Sequence, residues 1–281
     1  MDAEEHRRRS REQWESAAAG WRRRERWLHE TSAPVSAWLL DALALQPGHR
    51  VLELAGGTGD AGLLAAELIA PGGTLICSDQ SEAMLEAARD QARERGLTNV
   101  EFKLIDGEWI DMPLASVDAV ICRWGYMLMA DPGAALRETR RVLRPGGRVA
   151  LAVWDRLAAN PWAGIPSAAL VDHGLLVPAD PGDPGPFALA DPELVSALLE
   201  EAGFAEVEVE AIDLRRPDVD FDAWWDGHLA MSTVFRRAVA AAEAETVDSL
   251  RAETRRALAP YTASDGSLLV PARTLVASAG A

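Results

Sequence analysis

Between residues 50 and 155 the sequence alternates between short apolar runs and segments with helical periodicity. The apolar runs are 51–54, 74–78, 100–105, 117–122 and 148–154. Runs of this length, bounded by glycine and proline, predict buried strands, and strands that alternate with helices predict a parallel α/β sheet with helices on both faces. Ligands of such sheets bind beyond the carboxyl ends of the strands. The turns that follow these strands are therefore the places to search for chemistry.

The same pattern predicts one α/β domain in four parts. They are an N-terminal helical flap at 1–45, a core at 46–155, a lid or substrate insertion at 156–190, and a C-terminal part of the same domain at 191–281 with a helical insertion at 220–260. Within the flap we expect helices at 12–30 and 33–45. Trp14 and Trp21 share one face of the first helix, which either covers a ligand or simply packs.

The net charge and the cysteine content limit which partners and metal sites we expect for this protein. The formal net charge is −16, which opposes binding to nucleic acid and to anionic membranes. No apolar run is long enough to span a bilayer and the first residues carry no apolar signal core, so we expect a cytoplasmic protein without membrane insertion. Cys77 and Cys122 fall on different predicted strands and are expected to be buried thiols. Without a Cys or His cluster we expect no metal site. The sequence leaves the formation of a homodimer as an alternative.

A glycine-rich turn joins the first predicted strand to its helix. Residues 53–59 read Glu-Leu-Ala-Gly-Gly-Thr-Gly. Glycine lets the backbone approach a ligand closely, and the start of the helix presents free N–H groups. Asp79 ends the second strand, where a carboxylate can accept hydrogen bonds from both hydroxyls of a ribose. Together these features indicate a cofactor that contains a nucleoside.

These features alone do not distinguish between two classes of cofactor. Residues 57–62 match the dinucleotide fingerprint G-x-G-x-x-G, which leaves an NAD(P)-dependent oxidoreductase open. Asp60, however, places a carboxylate at the helix N-terminus, where a pyrophosphate would bind, and like charges repel. Glu53 precedes the turn and is suited to a cationic amino-acid portion. Both residues favour a positively charged cofactor without phosphates.

Four motifs in order resemble those of the class I S-adenosylmethionine-dependent methyltransferases, particularly the enzymes related to the ubiquinone and menaquinone biosynthesis methyltransferases. The motifs lie at 51–59, 79–85, 105–108 and 141–148. The resemblance covers roughly residues 35–155. It departs at Ala55, where the family usually has glycine, and a positive φ at that alanine would strain the turn.

The resemblance implies a fold and a reaction. The fold is a Rossmann-like seven-stranded sheet of order 3-2-1-4-5-7-6 with an antiparallel last strand, helices on both faces and a helical lid. Strands six and seven would lie at 207–214 and 267–276. The reaction is methyl transfer from S-adenosylmethionine to a small-molecule acceptor by in-line displacement. A non-catalytic binding protein of the same fold stays an alternative.

The resemblance also implies which residues hold the methionine portion of the cofactor. The backbone of the turn would surround it, with the Glu53 side chain nearby. The turn residues in question are Ala55, Gly56, Gly57 and Gly59.

Five further roles follow from the resemblance for the nucleoside end of the cofactor. Asp79 would bind the ribose hydroxyls, and Gln80 would lie beside the adenine. Asp106 would accept a hydrogen bond from the adenine amino group, and the Gly107 N–H would donate one to the ring. Arg123 would contact the cofactor carboxylate or the substrate, or else form a surface salt bridge.

No residue stands out as catalytic. The candidate general bases are His173, His228 and Asp155, but each also suits a structural or surface role. Methyl transfer to some carbon or amine acceptors needs no base at all. An aromatic wall is expected on the substrate side, where it would bind a flat apolar acceptor. Its candidate members, which equally suit core packing, are Trp124, Trp154, Trp162, Trp224 and Trp225.

Overall fold

The computed structural model describes residues 3–178, 180 and 182–281. Residues 1 and 2 of the expected flap and residues 179 and 181 of the expected lid lie outside this part. The strands are β1 (Arg50–Glu53), β2 (Thr74–Asp79), β3 (Val100–Leu104), β4 (Val117–Arg123), β5 (Leu143–Trp154), β6 (Ala205–Asp218) and β7 (Leu268–Gly280).

The strands form one sheet of order β3-β2-β1-β4-β5-β7-β6. β1 to β5 are parallel, and β7 runs antiparallel to both of its neighbours. This confirms the predicted topology. Register brings the carboxyl ends of three strands together, since Glu53 at the end of β1 lies opposite Cys77 of β2 and Ile121 of β4. Side chains that follow these strands therefore meet at one edge of the sheet.

Helices cover both faces of the sheet. They are α1 (Ala3–Arg23), α2 (Glu25–Ala42), α3 (Asp60–Leu68), α4 (Glu82–Glu94), α5 (Pro132–Val142), α6 (Pro161–Asp172), α7 (Pro192–Glu201), α8 (Phe221–Met231), α9 (Thr233–Ala241) and α10 (Ala244–Leu258). The expected insertion at 156–190 contains α6, and the expected helical insertion at 220–260 is divided into α8, α9 and α10. No helix within the described ranges is both long and apolar enough to cross a membrane.

The boundary between the first two helices differs from the prediction of 12–30 and 33–45. It falls at Arg24, whose side chain pairs with Asp218 of β6 at 2.7 Å. Pro34 lies inside α2. A proline there removes the hydrogen bond to the carbonyl four residues earlier, that of Glu30, which is exposed and can be solvated by water. The long-range ion pair is invisible to local periodicity.

Candidate functional site

A cleft opens at the carboxyl ends of β1, β2 and β4. It encloses about 1000 Å³ of space, part of which is open solvent. Nine of the ten residues that the sequence predicts for the cofactor line this cleft. They are Glu53, Ala55, Gly56, Gly57, Asp79, Gln80, Asp106, Gly107 and Arg123.

Gly59 is the predicted residue that does not line the cleft. It is the N-cap of α3 with φ +84°, and its N–H donates to the Gly56 carbonyl at 2.8 Å. A Cβ at this position would lie 3.1 Å from the Cβ of Ala88 in α4. In this structure Gly59 therefore closes the turn and lets α4 pack against α3.

Ala55 adopts the positive φ that strains the turn. Its φ is +51°, in the left-handed region where a side chain costs about 1 kcal/mol. Its methyl group fits because Gly125 faces it: a Cβ on Gly125 would lie 2.6 Å from that of Ala55. The turn keeps its shape at the cost of strain.

Gly57 forms the open floor of the turn. Its φ is +56°, and its N–H donates to Oδ2 of Asp79 at 2.9 Å. No atom of the described residues lies within 4 Å of where its Cβ would stand. This position therefore offers room for a ligand that a side chain would occupy.

Glu53 lies beneath the turn and is buried. Its Oε1 accepts a hydrogen bond from the Gly62 N–H at 2.7 Å. Its Oε2 has no hydrogen-bond partner within the described part of the chain. Burial raises the pKa of Glu53 to about 7, although the nearby Cys77 thiol and the Gly62 N–H act in the opposite direction. Glu53 lines the cleft, and its unpartnered oxygen lies buried beneath the turn, where its negative charge would act on a cationic group bound above it.

Asp79 stands at the tip of β2. Its Oδ1 accepts from the Ser81 N–H and its Oδ2 from the Gly57 N–H, each at 2.9 Å. Burial raises the pKa of Asp79 to about 6, while these N–H groups act to lower it. A carboxylate offers about four acceptor sites, so each oxygen can still accept one more hydrogen bond. This is the capacity that two ribose hydroxyls require.

Arg123 ends β4 and forms a buried ion pair. Its Nη1 lies 2.6 Å from Oδ2 of Asp60, the first residue of α3. Nδ1 of His29 lies 2.6 Å from the other carboxylate oxygen. Burial alone would raise the pKa of Asp60, but Arg123 and His29 outweigh it and the pKa is lowered. Asp60 is therefore a paired anion, and its repulsion of a pyrophosphate is weaker than the sequence suggested.

Helix α1 covers the cleft. Nη2 of Arg7 pairs with Oε2 of Glu108 at 2.6 Å, and Nε2 of Gln80 donates to Oγ of Ser10 at 2.9 Å. His6, Arg7 and Ser10 all line the cleft. Sequence reasoning missed these three residues because they lie in a mixed-charge segment without a motif. Glu108 does lie inside the 105–108 motif, but its ion pair is long-range.

Trp14 and Trp21 also line the cleft, on the inner face of α1. Their ring centroids lie 5.4 Å apart in an edge-on arrangement, and they pack beside Met84 of α4. Nε1 of Trp21 donates to the Met231 carbonyl at the end of α8. The two rings therefore line the cleft and also pack against α4.

The segment after β3 supplies two more lining residues. Oδ1 of Asp106 accepts a hydrogen bond from the Glu108 N–H at 3.0 Å. At Gly107 a Cβ would meet the end of the flexible Met129 side chain, which would have to move to make room. Their predicted roles toward an adenine stay predictions.

The three candidate bases lie outside the described lining of the cleft. Nε2 of His173 lies 3.1 Å from Oε2 of Glu253, and Asp155 pairs with Nε of Arg273 at 2.9 Å. His228 belongs to an aromatic cluster. Both cysteines are buried free thiols. The described residues contain no group of three or more His, Cys, Asp or Glu side chains arranged to hold a metal ion.

The five tryptophans predicted to form an aromatic wall fall into two groups. Trp124 lines the cleft and stacks on Trp154 with ring centroids 4.4 Å apart, and Trp154 packs against Trp162 at 5.0 Å. Trp224 and Trp225 lie in a second cluster around α8, against which Trp162 also packs. One of the five rings therefore reaches the cleft directly.

Known proteins resemble this chain in sequence. The sequence model of a methyltransferase domain matches residues 45–174. The ubiquinone/menaquinone biosynthesis C-methyltransferase UbiE of Cellvibrio japonicus is 35% identical over 111 residues, which are 39% of this chain and 45% of that protein. The same-named protein of Pseudomonas entomophila is 30% identical over 178 residues, 60% of this chain and 70% of its own length. The matched segment spans less than half the length of the first curated relatives.

A solved structure shares the fold. Phosphoethanolamine N-methyltransferase 2 of Haemonchus contortus, crystallised with phosphomonomethylethanolamine and S-adenosylhomocysteine, superposes with a TM-score of 0.55 at 16% identity. The match covers 88% of this chain and 52% of that one. The chain belongs to the class I S-adenosylmethionine-dependent methyltransferases.

Proposed function

We propose that the protein transfers a methyl group from S-adenosylmethionine to a small organic acceptor by in-line displacement. The cleft holds what such a cofactor needs: an open glycine floor at Gly57, an unpartnered carboxylate oxygen at Glu53, and a carboxylate with spare acceptor capacity at Asp79. Family membership supports the same cofactor.

The observation that carries the proposal is the balance of charge in the cleft. Both arginines of the described lining are already paired, Arg7 with Glu108 and Arg123 with Asp60. Asp79 and Asp106 also line the cleft and form no salt bridge with a described residue, and Glu53, with a pKa of about 7, adds part of a further negative charge. The surplus is negative, which attracts a sulfonium and an ammonium group and repels a pyrophosphate. The charge balance therefore favours S-adenosylmethionine over NAD(P).

The chain's own residues have a limited task in this chemistry. The bound cofactor supplies a methyl group whose bond to sulfur breaks with the electron pair left on sulfur, while an acceptor electron pair forms the new bond and the acceptor loses its proton to water or a base. Glu53 and Asp79 orient the cofactor. Helix α1, tied down through Arg7 and Ser10, excludes water from the cleft.

Calorimetry tests the cofactor. We expect S-adenosylhomocysteine to bind the wild-type protein, and NAD(P) to show no binding. Asp79→Ala should weaken S-adenosylhomocysteine by about tenfold or more, because the hydrogen bonds to a charged group are lost. Binding of NAD(P) in place of S-adenosylhomocysteine, or unchanged affinity in Asp79→Ala, would reject the proposal.

A pair of glycine variants separates ligand contact from backbone strain. Gly57→Ala and Gly146→Ala both place a methyl group at positive φ, +56° and +78°, with open space around it. Gly146 lies near the start of β5 and is not part of the described lining of the cleft. We expect similar melting temperatures for the two variants and a loss of S-adenosylhomocysteine affinity in Gly57→Ala alone. Equal affinities would place the ligand elsewhere.

Turnover separates an enzyme from a binding protein of the same fold. Methyl-labelled S-adenosylmethionine, incubated with a panel of phenols, amines and enolisable ketones, should yield a labelled product and S-adenosylhomocysteine in equal amounts. The product of the reactive member identifies O-, N- or C-methylation.

A further inference from the structure

Arg216, near the end of β6, is a cation without an ion partner. Its side chain forms no hydrogen bond or salt bridge with any residue that the structure describes, and aromatic rings surround it instead. Its guanidinium carbon lies 4.2 Å from the ring centroid of Trp162, 4.6 Å from that of Trp27 and 5.9 Å from that of Trp154. The nearest acid in sequence, Asp218, already pairs with Arg24 at 2.7 Å.

The surroundings of Arg216 are unusual for a positive charge. Loss of water contact lowers the pKa of Arg216 to about 9, and the partly compensating charge of Asp218 does not restore it. The residue stays protonated at neutral pH and is half-buried, so part of its surface is still accessible. Cation–π contacts stabilise the guanidinium but leave its N–H donors without a partner among the described residues.

His228 of α8 lies beside the same rings. Its imidazole stacks on Trp224 at 5.0 Å, meets Phe235 edge-on at 4.8 Å and lies 6.5 Å from Trp162. Neither ring nitrogen bonds to a described residue, and the side chain is half-buried. Burial, with the Arg216 cation, lowers the pKa of His228 to about 3, so the ring is neutral. It can donate one further hydrogen bond without adding charge.

These two polar groups lie behind the aromatic wall of the cleft. Trp124 lines the cleft, Trp154 stacks on Trp124, and Trp162 packs against Trp154. Trp27, on the other side of Arg216, precedes Leu28, which also lines the cleft. The three packed rings thus connect the lining of the cleft with the guanidinium of Arg216.

We propose that Arg216 and His228 bind the acceptor through a carboxylate carried on a flat, unsaturated framework that packs beside the rings of Trp27 and Trp162. A planar guanidinium matches a carboxylate in a two-pronged hydrogen-bonded pair, and indole rings stack on flat apolar groups. One unpaired cation balances a single negative charge, which favours a carboxylate over a phosphate dianion. This substrate class rests on the proposed function, since it names the acceptor of the same methyl transfer.

Calorimetry with 1-naphthoate and its neutral isostere 1-naphthamide tests the subsite, with and without S-adenosylhomocysteine. We expect wild-type protein to bind the acid about tenfold or more tightly than the amide, because the hydrogen bonds are charge-assisted. Arg216→Gln should abolish this preference, and Arg216→Lys should retain part of it. S-adenosylhomocysteine affinity should be unchanged in both.

Arg251→Gln is the matched control. Arg251 also lies over aromatic rings, 5.4 Å from the centroid of Trp225, but it pairs with Asp222 at 2.9 Å. This variant should keep the wild-type preference. Equal affinity for acid and amide, absence of naphthoate binding, or a preference that persists in Arg216→Gln would overturn the subsite. If a variant fails to fold, the comparison of acid and amide binding to the wild-type protein still tests the subsite. Failure of S-adenosylhomocysteine to bind wild-type protein would instead reject the proposed function.

Discussion

Replacing Glu53 by glutamine should change how the stability of the protein depends on pH. Glu53 is a buried carboxyl group with one hydrogen bond, from the Gly62 N–H, and one unpartnered oxygen. A glutamine carbonyl can accept the same hydrogen bond and carries no charge to desolvate. The variant therefore removes the titration and keeps most of the packing.

The size and sign of the effect follow from the raised pKa of Glu53. In the folded protein this pKa moves from 4.5 to about 7, so between these values the folded state binds more protons than the unfolded state. The free energy of unfolding of the wild type consequently falls as the pH rises through this interval. At about 1.4 kcal/mol per pKa unit, the total is roughly 3 kcal/mol above pH 7.

Urea denaturation of the ligand-free protein at several pH values measures this difference. Near pH 5 Glu53→Gln and wild type should be similarly stable, and near pH 8 the variant should be more stable by about 2 to 3 kcal/mol. Glu101→Gln on β3 is the control, since the side chain of Glu101 is 49% exposed. Parallel stability curves for Glu53→Gln and wild type would show that the carboxylate is not destabilised by burial, and the reasoning would fail.

Three further results are expected. Ala55→Gly should raise the melting temperature by about 2 °C, since glycine relieves roughly 1 kcal/mol of strain at φ +51°. A melting temperature below that of the wild type would show that the contact between Ala55 and Gly125 outweighs this strain. Arg7→Gln should make S-adenosylhomocysteine dissociate two- to fivefold faster in stopped-flow, roughly the value of a half-exposed ion pair with Glu108, whereas Arg11→Gln should not. Cofactor binding at pH 7 should release protons from the buried carboxylates of the cleft, and binding heats that do not vary between buffers of different ionisation enthalpy would contradict this.

The core of the fold and most of the cleft are predictable because their signals are local. A strand, a glycine turn and a helix occupy adjacent residues, and parallel strands must end at the same edge. Glu53, Gly57, Asp79 and Asp106 therefore meet in the cleft as expected. Gly59 differs because a glycine can serve helix packing as well as ligand contact, and spacing alone does not separate the two uses.

The cover of the cleft was not predictable in the same way. Arg7 lies in a run of arginines that reads as a solvated helix face, and its ion pair with Glu108 joins residues about a hundred positions apart. The break at Arg24, held by Asp218, is another such case. Periodicity describes how a segment packs, but not which distant side chain it meets.

Sequence alone determined the parallel sheet, the order of its motifs and the acids at the strand tips, because each depends on neighbours along the chain. Tertiary structure decided that Asp60 is neutralised by Arg123, that Ala55 is strained, and that Arg216 stands unpaired among tryptophans. Charge compensation is a property of groups close in space, and only the folded chain brings those groups together.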